Sequence, residues 1–182
     1  MGDERSQILV LIGAFFTRIA PHAVAAGHRH ILQLAFARLI ADRTIHGMMQ
    51  QMKTQDLPEK QQIWVLDNLG FVQYRLGKIT AALACCDGSL NINPQNAYAH
   101  KGKGICLAAQ GRVQEGITSI LRAIQHNPSF FDAYHDLAVI LLDQGDIVQA
   151  KQWAQRAYQL NPVDGASLVR QIVAQEGALA AT

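Results

Sequence analysis

Seven histidines and three cysteines are the residues of this chain best suited to hold a metal ion or carry redox chemistry. His22, His28 and His30 form the densest group. On a helix, a His-x-His pair projects its rings about 200° apart, so one ion cannot easily take both His28 and His30. His22 and His28 fall nearer one face, but no carboxylate lies close in sequence to complete a ligand set. Structural or surface histidines are therefore expected, and no metal. Cys85, Cys86 and Cys106 are odd in number and lack CxxC spacing, so neither a disulfide framework nor a zinc knuckle is indicated. Buried reduced thiols are expected, with Cys86 and Cys106 close enough to touch, and a reducing cytoplasm with them. There is no Gly-rich phosphate loop and no nucleophile elbow, and a Ser/His/Asp set cannot be argued from the residue order. The chemistry expected is recognition, without catalysis and without a cofactor.

The elements that would position any such surface are marked by helix breakers at a fixed period. Asn93-Pro94, Asn127-Pro128 and Asn161-Pro162 recur every 34 residues. Gly77, Gly111 and Gly145 share that period, each 17 residues before one of the prolines. Ile79, Val113 and Ile147 form a third, apolar series. Proline cannot donate to a helix and glycine takes the left-handed turn at low cost, so these positions end helices. Each period then holds a helix, a short turn and a second helix.

From residue 63 onward the chain resembles the tetratricopeptide repeat family, whose pattern is W-x2-L-G-x2-Y followed by a small residue, an aromatic and a proline. Residues 63–96 carry Leu66, Leu69-Gly70, Gly77, Ala82, Leu90 and Pro94 at matching places. Residues 97–130 carry His100, Gly104, Leu107, Gly111, Gly116, Ala123, Ile124 and Pro128. Residues 131–164 carry Tyr134, Leu137-Ala138, Leu141, Gly145, Ala150, Ala157, Tyr158 and Pro162. Small residues at 70, 104 and 138 and at 82, 116 and 150 let paired helices approach closely. Gln73, Lys103, Cys86 and Ala154 depart from the pattern, because larger apolar or aromatic residues are usual there.

The fold expected is all-α: a right-handed superhelical solenoid of antiparallel helix pairs. Three repeats would be flanked by an N-terminal helical block over residues 1–60 and a C-terminal capping helix over 165–182. Asp164 is expected to cap that last helix, whose apolar face holds Leu168, Val169, Ile172, Val173 and Leu179. The N-terminal block reads as helices over about Arg5–Ile19, His22–Ala41 and Thr44–Lys53, with residues 29–60 compatible with a degenerate repeat. Within it, Ile8–Ala20 is the most apolar stretch, yet it falls short of the ~20 residues that span a bilayer. Packing against the first repeat, against a second copy, or peripherally against a membrane through residues 5–20 all stay open.

The resemblance implies a concave face lined by the first helix of each repeat. Repeat 1 offers Trp64, Asp67, Asn68, Phe71, Tyr74 and Arg75. Repeat 2 offers Tyr98, Lys101, Gly102, Ile105, Ala108 and Ala109, and repeat 3 Asp132, His135, Asp136, Val139, Leu142 and Asp143. Aromatics gather toward one end and three carboxylates toward the other. Some family members grip the C-terminal carboxylate of chaperones with a Lys/Asn/Arg clamp. Asp67, Phe71, Gly102, Asp132 and Asp136 occupy those positions here, so the clamp is absent.

The remaining bounds are compositional. The 182 residues are 49% apolar, enough for one continuous core, and carry 16 basic against 14 acidic residues. That balance gives no phosphate-backbone footprint, and nucleic acid is not an expected partner. The function expected is a cytoplasmic protein–protein interaction module, an adaptor or dedicated chaperone. Its layout is similar to the small tetratricopeptide chaperones of type III secretion. The alternatives are a membrane-associated assembly factor, or a regulatory subunit of a larger complex that docks through residues 1–60.

Overall fold

The computed structural model describes residues 57–180. The expectations for residues 1–56, including His22, His28 and His30 and the apolar stretch Ile8–Ala20, lie outside the described residues. So does the side chain of Leu179.

Seven helices follow in order: α1 (Glu59–Arg75), α2 (Ile79–Ile92), α3 (Ala97–Ala109), α4 (Val113–His126), α5 (Phe131–Asp143), α6 (Ile147–Leu160) and α7 (Pro162–Ala180). Among the described residues there is no strand, and no helix is long and apolar enough to cross a membrane. The helices pair as α1/α2, α3/α4 and α5/α6, and successive pairs stack into a superhelical array.

The turn inside each pair is the same device three times. Gly77, Gly111 and Gly145 adopt φ of 73°, 80° and 78°, the left-handed region that a side chain would strain. Their amides donate to Tyr74, Ala108 and Leu142 carbonyls, each at 2.9 Å. The next amides, of Lys78, Arg112 and Asp146, reach back to the carbonyls of Gln73, Leu107 and Leu141 at 2.9–3.0 Å. This double closure is a Schellman motif, and it satisfies carbonyls that the helix end leaves open.

The Asn-Pro pairs work differently. Proline disfavours helical geometry in the residue before it, and Asn93, Asn127 and Asn161 are accordingly extended, with φ between −130° and −146°. Each Asn Oδ1 then accepts the backbone amide two residues on, from Gln95, Ser129 and Val163 at 3.0, 3.2 and 3.2 Å. The asparagine is thus as much a part of the punctuation as the proline.

The third pair departs from expectation. Helix α7 begins at Pro162 itself, and Asn161 is its cap, accepting from the amides of Val163 and Asp164, both at 3.2 Å. Asp164 is not the cap. It sits in the first turn, where its carboxylate suits the helix dipole and accepts from Asn161 Nδ2 at 2.6 Å. Proline at the first helical position costs no hydrogen bond, so the same dipeptide that ends α2 and α4 can start α7.

The central core gathers Ile120, Ala123, Leu137, Ala138, Leu141, Ala150 and Ala154 from α4, α5 and α6. Helix α7 seals its end with Leu168 and Ile172, both almost fully buried, whereas Val173 is 49% exposed and lies off that contact. Gly104 and Gly116 set the closest approach within a pair. A Cβ placed on either would stand 2.7 Å from the other's carbonyl oxygen.

Candidate functional site

The first helices of the pairs, α1, α3 and α5, lie side by side. This brings one residue face from each repeat to a common surface. A cleft of about 250 Å³ opens there, lined by Tyr74 from α1, Ile105, Ala108 and Ala109 from α3, and Asp136, Val139, Ile140 and Asp143 from α5. Val113 and Gln144 complete its rim. A smaller recess, about 20 Å³, adjoins it between α1 and α3. Asp67, Phe71, Tyr98, Lys101 and Gly102 line it with Tyr74 and Ile105, and Cys86 and Cys106 also border it. Tyr74 and Ile105 belong to both and join them.

Lys101 stands at the centre and is only 7% exposed. Its Nζ lies 3.5 Å from Asp136 Oδ2, 5.1 Å from the Tyr98 ring and 5.8 Å from the Phe130 ring. Those two rings stack with centroids 6.3 Å apart. Burial works to strip the ammonium of its proton, but Asp136, Tyr98 and Asp132 outweigh it and hold Lys101 above its ordinary pKa. Burial likewise pushes Asp136 up. The hydrogen bond from His135 Nδ1, at 3.4 Å, and the Lys101 charge prevail and keep the carboxyl below its usual range. The Asp136 carboxylate expected to be open to a partner is therefore already neutralised by Lys101. Asp132 and Asp143 form no ion pair among the described residues.

Asp67 also has prior engagements. Its carboxylate accepts from Ser89 Oγ at 2.7 Å and from Asn96 Nδ2 at 2.9 and 3.1 Å. Burial raises its pKa, and these two donors hold it back. Asn96 meanwhile caps α3 through the Tyr98 amide at 3.0 Å. Asp67 thus ties α1, α2 and the start of α3 together, a role that its helix position does not reveal.

Leu142, assigned to the groove by its helix position, is instead 4% exposed and part of the core. At that burial it offers a partner almost no surface. Trp64, Asn68, Phe71, Tyr74, Tyr98, Ile105, Asp132, His135 and Val139 are half-buried, and Arg75 is exposed at the end of α1. Asn68 Nδ2 is committed to the Trp64 carbonyl at 2.7 Å.

Cys86 and Cys106 do touch, through a thiol hydrogen bond in which Cys106 is held below its ordinary pKa and Cys86 above it. Burial pushes the Cys85 thiol up to about 11. All three are reduced. Among the described residues no group of three His, Cys, Asp or Glu side chains could hold a metal ion. The surface presents apolar walls with carboxylates at one side, an arrangement suited to recognition.

Sequence reasoning missed the Lys101–Asp136 pair and the Asp67–Ser89–Asn96 network. A signal for the first existed: opposite charges 35 residues apart, one more than the repeat, fall side by side on adjacent first helices.

Two family models described as tetratricopeptide repeat match residues 68–130 and 120–152. The TPR repeat-containing thioredoxin TTL4 of Arabidopsis thaliana is 32% identical over 83 residues, 46% of this chain and 12% of that protein. The peroxisomal targeting signal receptor of Candida glabrata is 29% identical over 97 residues, 53% of this chain and 16% of that protein. The chain thus spans well under a quarter of the length of either curated relative. Among solved structures, the first TPR of Spaghetti (RPAP3), bound to the HSP90 peptide SRMEEVD, superposes with a TM-score of 0.57 at 20% identity. The superposition covers 66% of this chain and 94% of that one.

Proposed function

From the premise that this chain is a tetratricopeptide-repeat protein, we propose that it is a protein-interaction module whose concave face binds a partner segment with apolar and basic side chains. One observation carries the reading. A single cleft of about 250 Å³ joins Tyr74, Ile105 and Val139, from three successive repeats, to the carboxylates of Asp136 and Asp143. Continuity across three repeats suits an extended or helical polypeptide better than a compact metabolite. Half-buried Phe71 and Tyr74 offer rigid anchors, and such residues typically dominate binding, at about 1–3 kcal/mol each.

Charge sets the preference. The Spaghetti domain named above holds an acidic peptide. Here Asp143 lines the cleft and forms no ion pair among the described residues, and Lys101 is occupied by Asp136. An acidic tail would meet repulsion, whereas a Lys or Arg in the partner would find a carboxylate. Adaptor and dedicated chaperone are two uses of this one face, and co-purification of one partner or of two tells them apart.

The test is fluorescence anisotropy with a labelled peptide of alternating Leu and Arg, set beside a version with Glu for Arg. The basic peptide is expected to bind at least about tenfold more tightly. Phe71→Ala and Tyr74→Ala should each weaken it about fivefold or more. Unchanged affinity in both variants disposes of the groove reading.

A further inference from the structure

A second concavity, of about 650 Å³, lies away from the cleft just described. It sits where the turn after α2 meets α3 and α4. On α3 its lining residues His100, Lys103 and Leu107 lie roughly 130° around the helix from Ile105 and Ala108, at 100° per residue. The volume falls within the range of small-molecule sites, ~300–1,000 Å³.

Its origin is legible in the repeat register. The residues of repeat 3 at the places of His100 and Lys103 are Tyr134 and Leu137. Leu137 is fully buried, and Tyr134 packs its ring against Trp153 at 5.9 Å. In repeat 2 a smaller polar ring and an outward-turning lysine replace them, so the space is left open and its wall is cationic. From α4, Arg122 and His126 complete that wall.

The positive charges are only partly cancelled. Glu115 is the carboxylate in the lining, and Arg112 holds it through two 2.7 Å hydrogen bonds. Asp87 on α2 pairs with Lys103 at 2.7 Å. Arg122 has no ionic partner among the described residues. His100 and His126 stack with centroids 5.4 Å apart and planes at 18°. His100 is only 7% exposed; its Nε2 meets the Pro94 carbonyl at 2.9 Å, and its Nδ1 is buried without a partner. Burial first, and then the charges of His126, Arg122 and Lys103, disfavour the protonated form of His100, against the Pro94 bond. Lys103, Arg122 and the His126 ring therefore line the same space as one buried imidazole.

The geometry points to a phosphoryl-anion site here, one that takes the phosphate head of a small phosphomonoester. Arg122, His126 and Lys103 supply donors enough for three phosphoryl oxygens, more than a carboxylate can use. Leu90 and Leu107 offer apolar wall for the organic part. The site is independent of the concave cleft, and its success or failure leaves the groove reading untouched.

The experiment uses the full chain at low ionic strength, with calorimetric titration and NMR signals of the His100 and His126 rings. Inorganic phosphate, phenyl phosphate and acetate are the probes. Saturable binding of phenyl phosphate is expected, tighter than inorganic phosphate and at least about tenfold tighter than acetate. The His100 ring should then titrate at higher pH with ligand present than without it. Arg122→Ala, at an exposed position, should weaken binding about tenfold or more while leaving the circular dichroism unchanged. The double variant His100→Tyr with Lys103→Leu installs the residues of repeat 3 and should abolish binding in a folded chain. Phosphate binding equal to that of the ester removes the ester assignment. The absence of saturable binding, equal affinity for acetate, or Arg122→Ala without effect overturns the site.

Discussion

Replacing Gly104 by alanine should destabilise the array, although alanine is the better helix former. A Cβ there would stand 2.7 Å from the Gly116 carbonyl oxygen and would also meet the Ile120 side chain. The carbonyl contact is about 0.7 Å inside ordinary van der Waals distance. Ile120 can rotate, but the carbonyl belongs to the backbone of α4 and can be relieved only if α3 and α4 part. A gap of ~0.5–1 Å forfeits a quarter to a half of each affected contact. The contacts at risk involve Leu107, Ile120 and Ala123, all buried. Overpacking of this kind typically costs about 1–3 kcal/mol. The intrinsic helix gain from Gly to Ala returns about 1 kcal/mol. Because the obstacle is backbone, the upper part of the range applies, and a net loss of about 1–2 kcal/mol is expected. Urea unfolding followed by far-UV circular dichroism measures it. Gly177→Ala is the control, since a Cβ there meets nothing within 4 Å, and it should stabilise by about 0.5–1 kcal/mol. A Gly104→Ala protein as stable as the parent would refute the close-approach argument.

Two further outcomes follow from the same contacts. Asn96→Ala removes the α3 cap and the two Asn96 hydrogen bonds to the Asp67 carboxylate, leaving that from Ser89, and should cost about 2 kcal/mol in thermal unfolding. Asp136 titrates below its ordinary range in the fold, so its contribution is present above the unfolded carboxylate pKa and is lost as pH falls through the folded one. Urea midpoints should therefore drop in acid below about pH 4, and Asp136→Asn should flatten that limb.

The helices were readable because their ends are set by local chemistry. Gly77, Gly111 and Gly145 must take positive φ, and Asn93 and Asn127 combine a proline constraint with their own side-chain acceptor. Asn161 shows the limit. Its local signals equal those of the other two, but there the chain continues directly as helix from Pro162. The site was legible only as positions. Whether a side chain at such a position is free depends on what stands one repeat away. Asp67 is claimed by Ser89 and Asn96, Asp136 by Lys101, and Leu142 by the core. None of these partners is local in sequence, so helical spacing alone could not separate the occupied positions from the open ones.

The Asp67–Ser89–Asn96 network governs more than the first junction. Moving along the chain by one period turns those residues into Lys101, Ala123 and Phe130, where a buried cation over an aromatic ring replaces a carboxylate among amide and hydroxyl donors. The two seams speak different chemical languages. A third hairpin sliding into the place of the second would leave Phe130 facing Asp67, with no amide to meet the carboxylate. Arrays built from like units are prone to mispair during folding, and dissimilar joints make every wrong neighbour a poor match. The order of the hairpins is thereby written into the seams themselves.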